Sequence, residues 1–313
     1  MFPIPSCLSS RFPPLQAINH WQERRLFRCF SEFEGDLHVV ARSPDFLLPN
    51  KPPCLLYDCM DAWESFSHAS QLVAFNELRL CEQADRIWVV SRALEEKLRP
   101  AFGRKVWYVP NGVDVDHFRQ AITIRRTQHA DSPTAVYIGH IGEWFDTTLL
   151  GAVASRLPQW KVKLIGPVHL TPARAAELNR PNIELVGPKP YQELPRLLAQ
   201  AAVGIIPFVI NDLIRATNPI KLYEYLAAGL PVVSTPMPEV VAMEVDGVIA
   251  CEDTAEGFAR RIDQLVSRHV AEKALEIAER HSWQSRFAFG LQGLGLEYSV
   301  PEKMDLDPPS DPF

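Results

Sequence analysis

Along the chain, short apolar runs rich in Val, Ile and Leu alternate with stretches whose apolar residues recur at helical spacing. Strands buried on both faces of a parallel sheet read as unbroken apolar runs, and the helices that cross over them show the longer period. The alternation therefore predicts an α/β protein built on parallel sheets. In the first part, strands are expected over 37–41, 55–57, 87–90 and 106–109. Between the second and third of these, residues 68–83 place Leu72, Phe75, Leu78 and Leu80 on roughly one face, the mark of an amphipathic crossover helix.

The segment 119–133 is polar, with Arg125, Arg126, Gln128, His129, Asp131 and Ser132 and no apolar period, and reads as a linker between two domains. Beyond it, strands are expected over 135–138, 162–165, 183–186, 203–206, 232–234 and 248–250. The first five are each followed by Gly or Pro and then a helical pattern, as in a doubly wound sheet. Helical period returns over 255–280, and 283–296 forms a further segment able to fold back over the first domain. The expected division is thus 1–121 for a first Rossmann-like domain, 132–280 for a second, 281–296 for a returning helix and 297–313 for a tail. That tail is acidic, Pro-rich and poor in apolar residues, the composition of a segment without a fold of its own.

Composition narrows the partners. With 313 residues, 47% of them hydrophobic, the chain can bury two cores. The formal charge is -6, and residues 1–121 carry 14 Lys and Arg against 15 Asp and Glu, so no part is built to hold a nucleic acid. Six cysteines without a CxxC pair suggest neither a zinc site nor a disulfide framework and fit a cytoplasmic setting. No run reaches the roughly 20 apolar residues of a membrane span. The cluster Arg24, Arg25 and Arg28 is either a peripheral contact with anionic lipid or a solvated helix face.

The most informative stretch is 218–231, N-P-I-K-L-Y-E-Y-L-A-A-G-L-P. Asn218 suits a helix N-cap and Pro219 the first helical position, so a helix should begin here and stop near Gly229. Its amino end, with Pro219 and Ile220, would offer free N–H groups and a positive dipole end to a diphosphate. Lys221 adds a cation in the first turn, and Glu224 lies one turn deeper on the same face for ribose hydroxyls. The same spacing also describes a solvated i,i+3 ion pair.

Other candidates surround this helix. In the loop 139–146, G-H-I-G-E-W-F-D, Gly139 and Gly142 would let backbone approach a phosphate. His140 either contacts the diphosphate or acceptor or is satisfied within the loop. Asp146 reads as an N-cap or a ligand, and Trp144 and Phe145 as packing or as a sugar platform. Asp58 and Asp61, just past the strand at 55–57, either orient and deprotonate an acceptor hydroxyl or serve as turn and cap residues. Asp114 and Asp116 have metal-ligand spacing but belong to the hinge segment, so no metal and no cofactor are expected.

The 218–231 string resembles the signature of GT-B glycosyltransferases, especially family 4 and related bacterial polysaccharide enzymes. The stretches A-D-R-I-W-V-V-S ending at Ser91, V-P-N-G-V-D-V-D-H-F at 109–118, I-E-L-V-G-P at 183–188 and the E-L-P-R-L-L that follows resemble the family in the family's order. The resemblance covers roughly 50–290. It implies two Rossmann-like domains facing a cleft, the first incomplete, with Gly187 and Pro188 beside the nucleobase. It further implies metal-independent, retaining transfer of a sugar from a nucleotide-diphosphate sugar to a saccharide or lipid-linked acceptor, as a hexosyltransferase-like enzyme. In many members a second glutamate precedes Glu224, and its place is taken here by Ala216, which leaves the sugar to the backbone of 217–220. The shortened first domain leaves two alternatives open: a non-catalytic donor-binding protein, or a subunit whose partner completes the sheet.

Overall fold

The computed structural model of the chain describes residues 38–41, 54–67, 69, 71–125, 133–265 and 270–292. Its first unit runs β1 (His38–Val40), β2 (Leu55–Cys59), α1 (Gln71–Gln83), β3 (Arg86–Val89), α2 (Arg92–Phe102) and β4 (Val106–Tyr108). The strands form one parallel sheet in the order β1-β2-β3-β4. β2 is buried along its whole length, as its run L-L-Y-D-C requires for a strand covered on both faces. After α3 (Val115–Arg125) the second unit begins with β5 (Thr134–Ile138), α4 (Thr147–Arg156), β6 (Lys161–Ile165), α5 (Pro172–Glu177) and β7 (Ile183–Gly187). It continues with α6 (Leu194–Leu198), β8 (Val203–Ile206), α7 (Asp212–Arg215), α8 (Ile220–Ala227), β9 (Val232–Ser234), α9 (Pro238–Val241) and β10 (Ile249–Cys251). α10 (Ala255–Leu265), α11 (Ala271–Arg280) and α12 (Trp283–Gln292) complete the chain as described.

The second sheet is parallel in the order β10-β9-β8-β5-β6-β7. β5 pairs with β6 on one side and β8 on the other, so the winding direction reverses between β5 and β8. In open α/β sheets the crevice at such a reversal, beyond the carboxyl ends of the strands, is where ligands bind. β5 and β8 are wholly buried and anchor the larger core, with Tyr137, Phe145, Tyr225 and Phe258 at its centre.

All ten expected strands form, each within two residues of its expected bounds. Two other expectations need correction. The stretch read as a linker from residue 119 is helical to Arg125, and α3 packs on α6, α8 and α11. Phe118 and Ala121 are buried beneath it. Arg125 donates to the carbonyls of Leu198, Ala199, Ala228 and Gly229, so a charged residue at the helix end serves packing and not a solvated tether. The stripe expected to face the core from α1 turns outward: Leu72, Phe75 and Leu78 are about half exposed, and of the four only Leu80 is buried. The inward face carries Val73, Asn76, Glu77, Leu80 and Cys81. Glu77 is tolerated there because it accepts from Tyr57 at 2.9 Å and from Lys97 at 3.1 Å, which outweighs the apolar pattern in setting the rotation.

α12 crosses from the second unit to the first. Arg286 donates to both oxygens of Asp58 at 2.8 and 2.9 Å and to the carbonyl of Pro110, Gly290 lies against Trp88, and Phe289 meets Trp107. The arginine cluster at 24–28, part of the 119–133 segment and the tail 297–313 lie outside the described residues. Among the described residues no helix is long and apolar enough to cross a membrane.

Candidate functional site

The structure brings Lys221, Glu224, Gly139 and Asp61 together from three separate segments. α8 starts at Ile220, and Lys221 in its first turn reaches back to the crevice between β5 and β8. The Lys221 ammonium lies 5.5 Å from the Tyr137 ring centre on β5 and 4.8 Å from that of Phe208, just past β8. Cation–π attraction of this kind is stronger where water is excluded. Gly139 has φ 126, a conformation L side chains avoid, and a Cβ there would stand 3.3 Å from Lys221 Cε. The next turn is as tight: a Cβ on Gly166 would meet the Gly139 carbonyl oxygen at 2.0 Å. Glycine at these positions lets the loop, the neighbouring strand end and the lysine converge.

The electrostatics of the cluster follow from burial. Desolvation lowers the Lys221 pKa to about 8, against the opposing pull of Glu224 and Asp61. Burial raises Glu224 to about 7, with Lys221 limiting the rise. It raises Asp61, at the carboxyl end of β2 in the other sheet, to about 6, again moderated by Lys221. Lys221 therefore senses a carboxylate from each unit, yet forms an ion pair with neither. Among the described residues Lys221, Glu224 and Asp61 have no side-chain hydrogen bond or ion pair. The amides of Ile220 and Lys221 also lack an acceptor, because the first backbone bond of the turn is Leu222 N–H to the Pro219 carbonyl. A desolvated ammonium and open helix N–H groups are suited to hold an anion with several oxygens.

The helix start differs in one respect from the sequence expectation. Pro219 occupies the N-cap position, and Asn218 does not cap. Its side chain instead accepts from the Asn111 amide at 3.2 Å and donates to Glu239 at 3.1 Å, while its carbonyl accepts from the Asn111 side chain at 2.7 Å. Asn218 ties the segment after β4 to the helix entry, so its polar groups are consumed across the units. Glu239 on α9 completes this tie, accepting from the Arg92 amide and the Tyr108 hydroxyl, each at 2.7 Å. The contact closes the first turn of α2 with a carboxylate from the other unit.

Around this centre the remaining candidates separate. Asp146 caps α4, accepting from the Leu149 amide at 2.8 Å. Phe145 is buried and packs edge-on to Tyr137 at 4.8 Å, whereas Trp144 is half-buried beside His140 at 5.0 Å. His140 is exposed, its Nε2 lying 2.7 Å from His169 Nδ1, and its pKa is lowered by burial and by His169. Its carbonyl accepts from Tyr137, which fixes the loop. Gly142 lies under the Trp144 ring, and Gly187, at φ 78, ends β7 beside the exposed Pro188. Asp114 accepts from the His117 amide at the start of α3. Asp58 is not open to a cleft: both its oxygens are held by Arg286, and burial raises its pKa against that partner.

Sequence reading missed two residues beside this cluster, Tyr191 near Glu224 and His117 stacked on Tyr191. Tyr191, 42% exposed, is near enough for Glu224 and Asp114 to help raise its pKa, although burial is the larger cause. His117 stacks flat on it with ring centres 4.3 Å apart and its Nε2 3.0 Å from the Tyr191 carbonyl. No local signal joins the two, because the pairing spans 74 residues.

With this geometry, comparison with known proteins is informative. Residues 132–268 match the family described as glycosyl transferases group 1. The Bacillus subtilis (strain 168) protein TuaH, whose name assigns it to teichuronic acid biosynthesis as a glycosyltransferase, is 29% identical over 228 residues. The match covers 63% of this chain and 57% of TuaH, so the chain spans little more than half of that relative. Among solved structures, the fold is similar to sucrose-phosphate synthase from Thermosynechococcus elongatus, with TM-score 0.70 and 15% identity, covering 88% of this chain and 77% of that one. It is also similar to Anabaena Alr3699/HepE in complex with UDP and glucose, with TM-score 0.61 and 16% identity, covering 92% and 82%.

Proposed function

From the premise that this chain belongs to the GT-B glycosyltransferases of polysaccharide type and carries their group 1 domain, we propose that it moves a sugar from a uridine diphosphate sugar to a saccharide or lipid-linked acceptor. The observation that carries this reading is Lys221: a desolvated ammonium that among the described residues makes no hydrogen bond or ion pair, beside two free amides at a helix start and a glycine that clears the approach. The diphosphate would take the place of the missing counter-ion. Glu224, one turn along, would accept from the ribose hydroxyls. Tyr191 on His117 would wall the nucleoside, with Gly187 and Pro188 beside the base and His140 and Gly142 nearer the diphosphate and sugar. The choice of uridine follows from Anabaena HepE, whose structure holds UDP.

Transfer is limited by departure of the nucleoside diphosphate. Charge growing on the leaving phosphate is met by preorganised donors that need no rearrangement, the ammonium and the helix N–H groups. These supply positive charge without a divalent cation, and the proposed reaction proceeds in the presence of a chelator. Retention of anomeric configuration is part of the proposal through the family resemblance. Asp61 would receive the acceptor hydroxyl's proton. Its raised pKa makes it a better base than a solvated aspartate while leaving it ionised at neutral pH. Asp58 is left out, because its oxygens are already occupied.

The test is titration calorimetry with UDP, GDP and ADP, followed by sugar-transfer assays on wild type and Lys221→Ala. Saturable UDP binding lost in the variant supports the reading; absence of binding to all three at millimolar concentration overturns it. UDP binding without turnover on any saccharide would instead mark a donor-binding protein without catalysis.

A further inference from the structure

The outer edge of the first sheet holds a second polar site that the donor reading does not use. β4 is the last strand in that sheet's order, and α2 and α12 flank an open pocket of about 520 Å³ along it. That size is within the range of small-ligand sites, roughly 300–1,000 Å³. Its lining includes Arg86, Arg99, Arg104, Trp107, Tyr108 and Phe289, and none of the donor-site residues.

Its charge is strongly one-sided. Four arginines, the fourth being Arg92, face one carboxylate, Glu95, which accepts from Arg92 at 2.6 Å and also from Arg99. Among the described residues the Arg104 guanidinium has no partner. The chain as a whole is acidic, at -6, so this concentration of guanidinium groups is local and not part of a general polyanion surface. The aromatic part is equally definite. The Trp107 indole N–H donates to the Arg104 carbonyl at 3.2 Å, which fixes the ring. Phe289, 50% exposed, meets Trp107 with ring centres 6.0 Å apart, and the Arg86 guanidinium stands 6.0 Å from the same ring. Arg92 lies 3.8 Å over the Tyr108 ring, and these two residues also bind Glu239 of the second unit. The inner end of the pocket thus runs into the interdomain contact.

We propose that this pocket binds an acidic sugar unit of a saccharide chain, remote from the unit that receives the new sugar. Planar guanidinium forks match carboxylate or phosphate oxygens, and a fixed aromatic wall packs against the apolar face of a pyranose. A free anion would use the arginines and leave Trp107 and Phe289 idle. The proposal rests on the reading of the chain as a saccharide-handling transferase, but the two sites share no residue and fail separately.

The experiment measures binding of short oligogalacturonate, neutral maltooligosaccharide of equal length, mannose 6-phosphate, inorganic phosphate and a single-stranded oligonucleotide to the full chain, with UDP titrated in parallel. Oligogalacturonate or mannose 6-phosphate should bind, distinguishing carboxylate from phosphate, and the neutral sugar should not. Arg104→Glu, a surface change, should weaken the acidic sugar about tenfold or more, as should Arg99→Ala with Trp107→Ala, while UDP affinity stays at the wild-type value. Unchanged binding in Arg104→Glu, no acidic-sugar binding, or equal binding by inorganic phosphate or the oligonucleotide would overturn the proposal. Loss of UDP binding in the wild type would count against the donor site alone.

Discussion

Two sets of charges, one buried and one half-buried, behave in opposite ways in this molecule. Asp58 and Arg286, in the first unit and the returning helix, are both under 10% exposed and satisfy one another through two hydrogen bonds, with Arg286 also donating to Pro110. Lys221 is held close enough to Glu224 and to Asp61 to shift the proton affinity of each and its own, yet among the described residues the three side chains make no hydrogen bond or ion pair. A charge removed from water and left unpaired weakens a fold, so it persists where something outside the fold completes it. The first set fastens the two units, and the second is, on the proposed function, half of a binding site.

The largest effect that would break this contrast is on stability. Asp58→Ala leaves Arg286 buried and unpaired and should lower unfolding free energy by about 3–5 kcal/mol, read by urea denaturation. The folded fraction should still bind UDP, and equal stability would remove the fastening role. Next, Lys221→Ala should lower transfer by about 100- to 1,000-fold in a UDP-sugar assay, with a melting temperature close to wild type, because relief of a desolvated charge offsets the lost cation–π contacts with Tyr137 and Phe208.

A third, graded test is the pH profile of kcat/KM, which reports the free enzyme's groups. Asp61 must be deprotonated to act as base, so kcat/KM should fall about tenfold per unit as pH drops below about 6. Lys221 must be protonated to hold the diphosphate, so it should also fall above about 8. Asp61→Asn should abolish the response attributed to Asp61 in this acid limb. The smallest effect expected is for Glu224→Gln, which keeps the shape and removes the charge: UDP affinity should fall about three- to tenfold by calorimetry. Affinity for a 2′,3′-dideoxy analogue of UDP should hardly change.

The parts legible in the sequence were those decided by neighbours in the chain. Strands such as 203–206 and 232–234 were readable because a strand covered on both faces has to be an unbroken apolar run. Lys221 and Glu224 were readable because three residues on a helix make almost one turn. The rotation of α1 was not, since Glu77 faces inward only by virtue of Tyr57 and Lys97, each 20 residues away. Nor was α3, whose polar residues looked like a tether until Arg125 met carbonyls some 73–104 residues further on.

The sequence alone determined the succession of strands along the chain, the doubly wound pattern of the second unit and the lysine and glutamate at a helix start, because each depends on local periodicity. Only the tertiary structure decided which charges are occupied. Asp58 and Asp61 lie three positions apart, yet one meets an arginine 228 residues away and the other is left facing Lys221. Pairing depends on where distant segments come to rest, and that is fixed by the packing of the two sheets and the helix that joins them.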